Sequence, residues 1–422
     1  MKPLERIVVL GGAGNMGRVA VRTAASLDGI REIIIGDRDL AAAEKIAAEA
    51  ASSPRVRIRA KQIDVTDSIA LRRLLSEAGA VLNTTGPFHK FGVPILRAAI
   101  EARTHYLDIC DDWEPTLEMM REHQNATNAG VVAVIGMGAS PGVSNLLAKV
   151  AARELDEVTD LYTAWPLDVP IAGVSISEDK ELLVDQSGKP SAAVLHLMQQ
   201  ISGAIRVVEG GRLVDRPPLD AVEIDYPGRG RGMAYTVGHP EPLTMCATLG
   251  IRGRSACLMI LTTQALSLLK DLNAALDQKS LTNEQAAAIM IAPGALRTLK
   301  AVVKSLSLKG HGDLPPFFAF AAGIKDGKAA RVGVSVSTVP KGMANSTGVP
   351  LALGLRQLLE GRLATPGAFA PEAVIEPDSF FDQLVPYCDP PVARSSELLN
   401  VTIDRGEDAA VKLSSTIQNI GA

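Results

Sequence analysis

The chain of 422 residues is long enough for two or three folded units at about 150 residues each. Its 43 Lys plus Arg against 47 Asp plus Glu leave a net charge of −4. That balance argues against the basic surface that a nucleic-acid backbone demands, and no nucleic-acid partner is expected. At 47% hydrophobic and 21% charged the composition is globular rather than disordered. No run approaches the roughly 20 apolar residues of a membrane span, so no membrane partner is expected. The opening Met1–Arg6 carries no apolar signal core, and a cytoplasmic location is expected. Cys110, Cys246, Cys257 and Cys388 are far apart and form no Cys-x-x-Cys pair. That spacing fits a reducing compartment, with no disulfide framework and no metal site.

The elements alternate over the first 140 residues. Arg6–Gly11 is an apolar, β-branched run without polar alternation, as in a strand buried on both faces of a parallel sheet. Helical spacing follows over Met16–Leu27, a strand over Arg31–Gly36 and an Ala/Glu-rich helix over Leu40–Ala51. Val56–Ile63 reads as a strand, and Asp67 or Ser68 can cap the next helix. Ala80–Thr85 is a strand, Val93–Ala102 a helix, His105–Cys110 a strand, Glu114–Ala129 a helix and Val131–Gly138 a strand. This predicts a doubly wound, Rossmann-type α/β domain over residues 1–140. Ser140 and Pro141 are placed to start a helix to Leu155. Residues 141–340 then read as an α+β substrate or dimerisation domain with a mainly antiparallel sheet. Glu209–Arg212 and Lys325–Lys328 are hairpin signals there. Residues 341–388, with a helix over Asn345–Leu359, form a return segment. Residues 389–422 are a tail with no assigned role.

The motif Gly12-Ala13-Gly14-Asn15-Met16-Gly17 follows a buried strand and opens a helix, the context that gives G-x-G-x-x-G its meaning. Gly12 is expected to make the tight turn, Gly14 to admit a pyrophosphate and Gly17 to let the helix pack closely. The helix N-terminus, with Asn15 and Met16, supplies N–H groups to the phosphates. Asp37 lies at the end of the second strand, where a carboxylate binds ribose hydroxyls and favours NAD; Arg38 beside it suits the 2′-phosphate of NADP. The cofactor is read as NAD, with NADP open. Asp64 and Val65 end the third strand near where adenine would lie.

Thr84, Thr85, Gly86, Pro87 and Phe88 follow the fourth strand, at the carboxyl end where ligands bind such sheets. Gly86 and Pro87 are expected to set a loop against the cofactor, with Phe88 over its ring. Asp111, Asp112, Trp113 and Glu114 close a dense polar cluster after the fifth strand. The acids can hold a cationic amine or move protons; alternatively Asp112 caps the next helix. Trp113 can wall a pocket. Ser140 opens a further helix N-terminus beside the cofactor.

Together these segments resemble the saccharopine dehydrogenase family, in the branch with lysine 6-dehydrogenase and carboxynorspermidine dehydrogenase. The likeness rests on Gly11–Gly17, on Asn83–Gly92 with Thr104–Asp108, on Gly138–Asn145, and on Ser346–Pro350 with Pro371-Glu372. The resemblance implies an NAD(P)-dependent oxidoreductase that transfers hydride at a C–N bond of an amino-acid-like or amine substrate. The alternatives are reduction of C=C or C=O on the same fold, or non-catalytic dinucleotide sensing. It implies a substrate loop over Tyr226–Gly232 and Gly238–Pro242. In that loop Arg229 and Arg231 can clamp a carboxylate, Glu241 can hold an amine, and His239 can transfer the proton. His89 and Asp112 are the further proton-transfer candidates. Partners are expected to be the small-molecule amine substrate and a second copy in a homodimer.

Overall fold

The computed structural model describes residues 2–50, 55–173, 183–184 and 188–405. Two compact units result: Met1–Leu146 with Met343–Ser395, and Leu147–Gly342 with the chain from Ser396.

The first unit is built on β1 (Arg6–Leu10), α1 (Asn15–Ala25), β2 (Glu32–Asp37), α2 (Leu40–Ala50), β3 (Arg57–Gln62), α3 (Ser68–Ser76), β4 (Ala80–Asn83), α4 (Phe88–Glu101), β5 (His105–Asp108), α5 (Trp113–Arg121), α6 (His123–Ala129) and β6 (Val132–Val134). The residues from 343 add a helix and the strand Gly367–Phe369. The sheet is parallel throughout and runs Gly367–Phe369, β6, β5, β4, β1, β2, β3. This is the doubly wound order, with its reversal between β1 and β4. Val8, Leu10, Ile34 and Val81 pack on one face against Leu71, Leu74, Leu96 and Met119. Ile7, Val9, Ile33 and Ile35, of opposite parity, are equally buried. Burial on both faces explains the absence of polar alternation in these strands.

Several boundaries differ from the expected ones. α4 begins at Phe88 rather than Val93. Pro94 sits inside it on the exposed side, where the one ladder bond it forgoes, to Lys90, can be made to water. The helix expected over 114–129 is two, joined at Glu122. The buried Glu122 carboxylate there accepts from Arg97 Nε at 2.7 Å and from Asn125 at 2.6 Å. Asp67 caps α3 as expected, accepting from the amides of Ile69 and Ala70.

The second unit contains α7 (Val143–Arg153), shared along the chain with the first, β7 (Glu157–Pro166), α8 (Ala192–Gln200), β8 (Ile205–Glu209), β9 (Arg212–Arg216), β10 (Ala221–Tyr226), β11 (Gly230–Val237), α9 (Glu241–Thr248), β12 (Ser255–Ile260), α10 (Thr263–Asp277), α11 (Asn283–Ile291), α12 (Gly294–Ser305), β13 (Phe318–Lys325) and β14 (Lys328–Val336). α7 starts at Val143, two residues after Pro141, because the Gly138–Gly142 bridge holds that segment in a turn. The sheet is mainly antiparallel, with β12 and β7 parallel. Tyr235, Val237, Cys257 and Met259 face α8, α10 and α11, while Ala234, Ala256, Leu258 and Ile260 face the other side.

Both hairpin signals produce hairpins. Gly210 and Gly211, and Asp326 and Gly327, take positive φ at their turns, the mirror-type geometry that suits strand twist. Part of the unassigned tail is a strand. Leu399–Arg405 pairs antiparallel with β14 along its length, and the buried Arg331 of β14 binds Asp404 and, at 3.1 Å, Asp225. The tail's alternating sequence could not show this, because an edge strand is defined by its neighbour.

Candidate active site

The phosphate turn joins β1 to α1. The left-handed residue is Gly11, at φ 69°, and not Gly12. Gly12 is required for another reason: a Cβ there would lie 2.8 Å from Ile35 Cγ2. At Gly17 a Cβ would overlap the Gly11 carbonyl oxygen and sit 2.7 Å from Gly12 Cα, so only glycine lets α1 pack on the turn. Gly14 is the N-cap and supplies no side-chain bond to the helix. The first turn of α1, with Asn15 and Met16, is therefore arranged for an external anion.

Asp37 accepts from the Ala13 amide with one carboxylate oxygen and from the Asp39 amide with the other, each at 3.1 Å. It is thus anchored to the turn and lies where a ribose is expected. Arg38 and Asp64 are exposed. Bonds from Thr66, aided by the Arg38 charge, hold the Asp64 carboxyl below its ordinary range. Asp64 is thus engaged in its own turn, and Val65 packs partly into the core. A dinucleotide fits these residues on three observations: the glycine cradle, the uncapped helix start, and the buried Thr85 hydroxyl without a hydrogen-bond partner. Asp37→Ala should weaken NADH binding about tenfold while affecting NADPH much less. Fluorescence titration with both cofactors checks this; an equal loss of both would instead mean that Asp37 acts only through the turn.

At the carboxyl ends of β4 and β5 lies a buried polar chain. Asn83 accepts from the Thr85 amide at 3.0 Å and donates to the Tyr106 hydroxyl at 3.0 Å. Tyr106 donates to Asp108 at 2.7 Å. Asp108 also accepts from the amides of Gly136 at 2.7 Å and Cys110 at 3.1 Å. Asn83, Tyr106 and Asp108 are fully buried. One carboxylate therefore ties together the loops after β4, β5 and β6. Burial pushes its pKa up to about 6, against the opposing bonds from Gly136, Tyr106 and Cys110. Burial also raises the Cys110 thiol well above its usual range, which leaves it unreactive. Period-two alternation puts Tyr106, Asp108 and Cys110 on one face, but nothing local marks Asp108 as the hub. A second buried bond, Asn145 Nδ2 to Glu372 at 2.8 Å, secures the Gly142 turn within the same unit.

Other expected residues are placed differently. Phe88 is buried in the core beneath α4 and does not cover a ring. Gly86, Pro87 and His89 are exposed. Thr84 bonds the Leu10 carbonyl at 2.8 Å and so braces the phosphate turn itself. Asp112 occupies the N-cap of α5, but its side chain makes no cap bond; its backbone carbonyl accepts from Thr116 instead. Asp111 and Trp113 are partly exposed and Glu114 is exposed in the first turn of α5. Ser140 does not cap α7, which begins three residues later.

In the second unit, β11 ends at Val237 and the chain turns sharply through Gly238, where a Cβ would lie 2.8 Å from Ile205 Cγ2. The turn sets His239 and Glu241, both buried, at 3.4 Å from each other (Nδ1 to carboxylate). Trp165 packs on the imidazole, with centroids 5.4 Å apart, and Cys257 Sγ lies 3.7 Å from Glu241. Burial alone would lower the His239 pKa; the neighbouring Cys257 and Glu241 outweigh it and raise it well above the ordinary value. Burial itself raises the Cys257 thiol. Glu241 is buried against the imidazole and does not stand open to an amine. These three side chains bring N, O and S donors within 4.8 Å of one another, a set that suits zinc. Arg229 and Arg231 lie on the exposed β10–β11 hairpin, and Arg231 pairs with Asp225 at 3.5 Å. They do not form a two-pronged clamp there.

The strand order and the glycine turn define a Rossmann-type dinucleotide-binding protein. Residues 7–134 match the family described as saccharopine dehydrogenase NADP binding domain. Carboxyaminopropylagmatine dehydrogenase of Synechocystis sp. is 24% identical over 406 residues, covering 89% of this chain and 94% of its own length. Carboxynorspermidine synthase of Vibrio cholerae is 24% identical over 407 residues, covering 88% and 93%. Saccharopine dehydrogenase (L-Glu forming) from Saccharomyces cerevisiae shares the fold, with a TM-score of 0.57 at 16% identity over 94% of this chain and 99% of that one. Residues 7–134 thus match a domain whose description names an NADP cofactor, in keeping with the glycine turn they contain. Among the described residues no single helix is long and apolar enough to cross a membrane.

Proposed function

We propose that this protein is an NAD(P)H-dependent reductase of a C=N bond, forming a secondary amine on a carboxylated, polyamine-like substrate. The substrate class follows the names of its two full-length relatives, both acting on carboxylated amines. The observation that carries the reaction is the buried His239–Glu241 pair. An imine nitrogen must gain a proton as its carbon gains hydride, and a protonated imidazole held by a carboxylate is a donor suited to that step. A reduced dinucleotide would supply the hydride when bound. Asp37 would hold its ribose and the Gly14–Gly17 helix start its phosphates, while the Asp108 chain fixes the loops at the ends of β4–β6. Glu241 keeps the imidazole charged, and Trp165 keeps water from it. In the reverse direction the same pair would take the proton back.

The test is oxidation of NADPH and NADH in the presence of an aldehyde or keto acid, with and without a diamine. Turnover is expected only with the amine. His239→Gln should lower kcat by about 10²–10³-fold while leaving cofactor affinity within about twofold. Equal turnover of the carbonyl alone would replace this reading with ketone reduction, and full activity in the variant would remove His239 from the chemistry.

A further inference from the structure

Five of the eight exposed large aliphatic side chains among the described residues lie on or directly after one helix of the second unit. α12 packs against α10 with Ala301 and Ser305 buried one turn apart. On the side away from them stand Leu296, Leu299, Val302, Val303 and Leu306, exposed by 67%, 61%, 42%, 61% and 84%. At 3.6 residues per turn these five span an arc of about 120°. Such a stripe of aliphatic side chains on a folded surface implies an apolar partner.

Charge identifies the partner. Arg297, Lys300 and Lys304 line one flank of the stripe, and Lys309 follows the helix. No Asp or Glu occurs from Gln285 to Gly312, in a chain whose net charge is −4. Lys304 pairs with Asp271 of α10 at 2.6 Å, while Arg297 and Lys300 are exposed. A second copy docked on this face would bring like charges together with no acid to answer them. A protein partner would be expected to meet aromatic anchors, which dominate such contacts, whereas Leu and Val are scarce among them. A convex aliphatic ridge flanked by cations is the form of an interfacial membrane helix, whose side chains enter the acyl boundary while the cations meet anionic headgroups.

We propose that α12 docks this protein peripherally on anionic lipid surfaces. The inference is independent of the catalytic reading, since none of these residues belongs to the nucleotide turn or the His239 pair. The test is co-sedimentation of the full chain with phosphatidylcholine vesicles containing about one third phosphatidylglycerol. The protein should pellet with these vesicles and stay in solution with pure phosphatidylcholine. Binding should weaken about tenfold in Leu299→Asp/Leu306→Asp and again in Arg297→Glu/Lys300→Glu. All four positions are exposed, so folding should persist, which circular dichroism and unchanged NADPH binding would verify. Absence of pelleting with anionic vesicles, or pelleting unaffected by both variants, overturns the proposal. A dimer in sedimentation velocity that the Leu double variant converts to monomer would assign the stripe to a second copy and overturn it as well.

Discussion

Asp108→Ala should destabilise the nucleotide-binding unit by about 3–5 kcal/mol, the cost of breaking a buried, charged hydrogen-bond hub. Three donors converge on this carboxylate, from Tyr106, Cys110 and Gly136. Removing it leaves all three without a partner in a fully buried place. For a unit of this size, a loss of that order should lower the melting temperature by roughly 10 °C. The loops after β4, β5 and β6 lose their common anchor, so NADH affinity should fall as well. A thermal melt within about 2 °C of wild type would contradict the assignment.

The same carboxyl gives the stability a distinctive pH dependence. Its pKa rises from 3.8 to about 6 on folding. A buried acid with a raised pKa binds a proton more tightly in the folded state. Its stabilising contribution is therefore complete below about pH 4 and is lost as pH rises through about 6. The stability advantage of wild type over Asp108→Asn should narrow between these limits, by about 3 kcal/mol at most. Denaturant melts of both proteins at pH 4, 5, 6 and 7 give the difference directly, and titration of other groups cancels in it. A gap that widened with pH would mean the buried carboxyl is stabilised chiefly by its amide donors.

Gly17→Ala is the second large effect. The added methyl would overlap the Gly11 carbonyl oxygen and press on Gly12 Cα. These are backbone atoms of the turn itself, so no side-chain rotation relieves the clash. α1 must move outward, carrying with it the amides that face the phosphates. Nucleotide affinity should fall at least about 100-fold, equivalent to about 2.7 kcal/mol. Gly14→Ala makes the useful contrast, since its Cβ would approach only the Gly11 oxygen, at 3.2 Å. It should leave the fold unchanged and weaken binding through steric interference with the phosphate alone. Calorimetric titration with NADH would separate the two variants.

The pattern of the first unit was legible in advance because its rules are local. Unbroken apolar runs mark strands buried on both faces, and β1, β2 and β4 lie within two residues of where their sequences place them. Asp-Gly and Gly-Gly dipeptides favour left-handed turn geometry wherever they occur, so both hairpins could be read directly. Phe88 shows the limit of such reading. It follows a ligand-facing loop in the sequence, but α4 starts there and turns the ring into the core.

The amino-acid sequence by itself therefore determined the strand and helix periods, the glycine-rich turn with its strand-end acid, and the family resemblance, all carried by residues within one turn or strand of one another. Tertiary structure alone decided that Gly11 carries the left-handed turn and that Asp108 is the hub of three loops. It also decided that Glu241 is buried beside His239 and that Leu399–Arg405 extends a sheet. The Asp108 hub needs the Gly136 amide and the last strand needs β14, partners distant in sequence. The free energy of such a group is set by its neighbours in space, which no local pattern encodes.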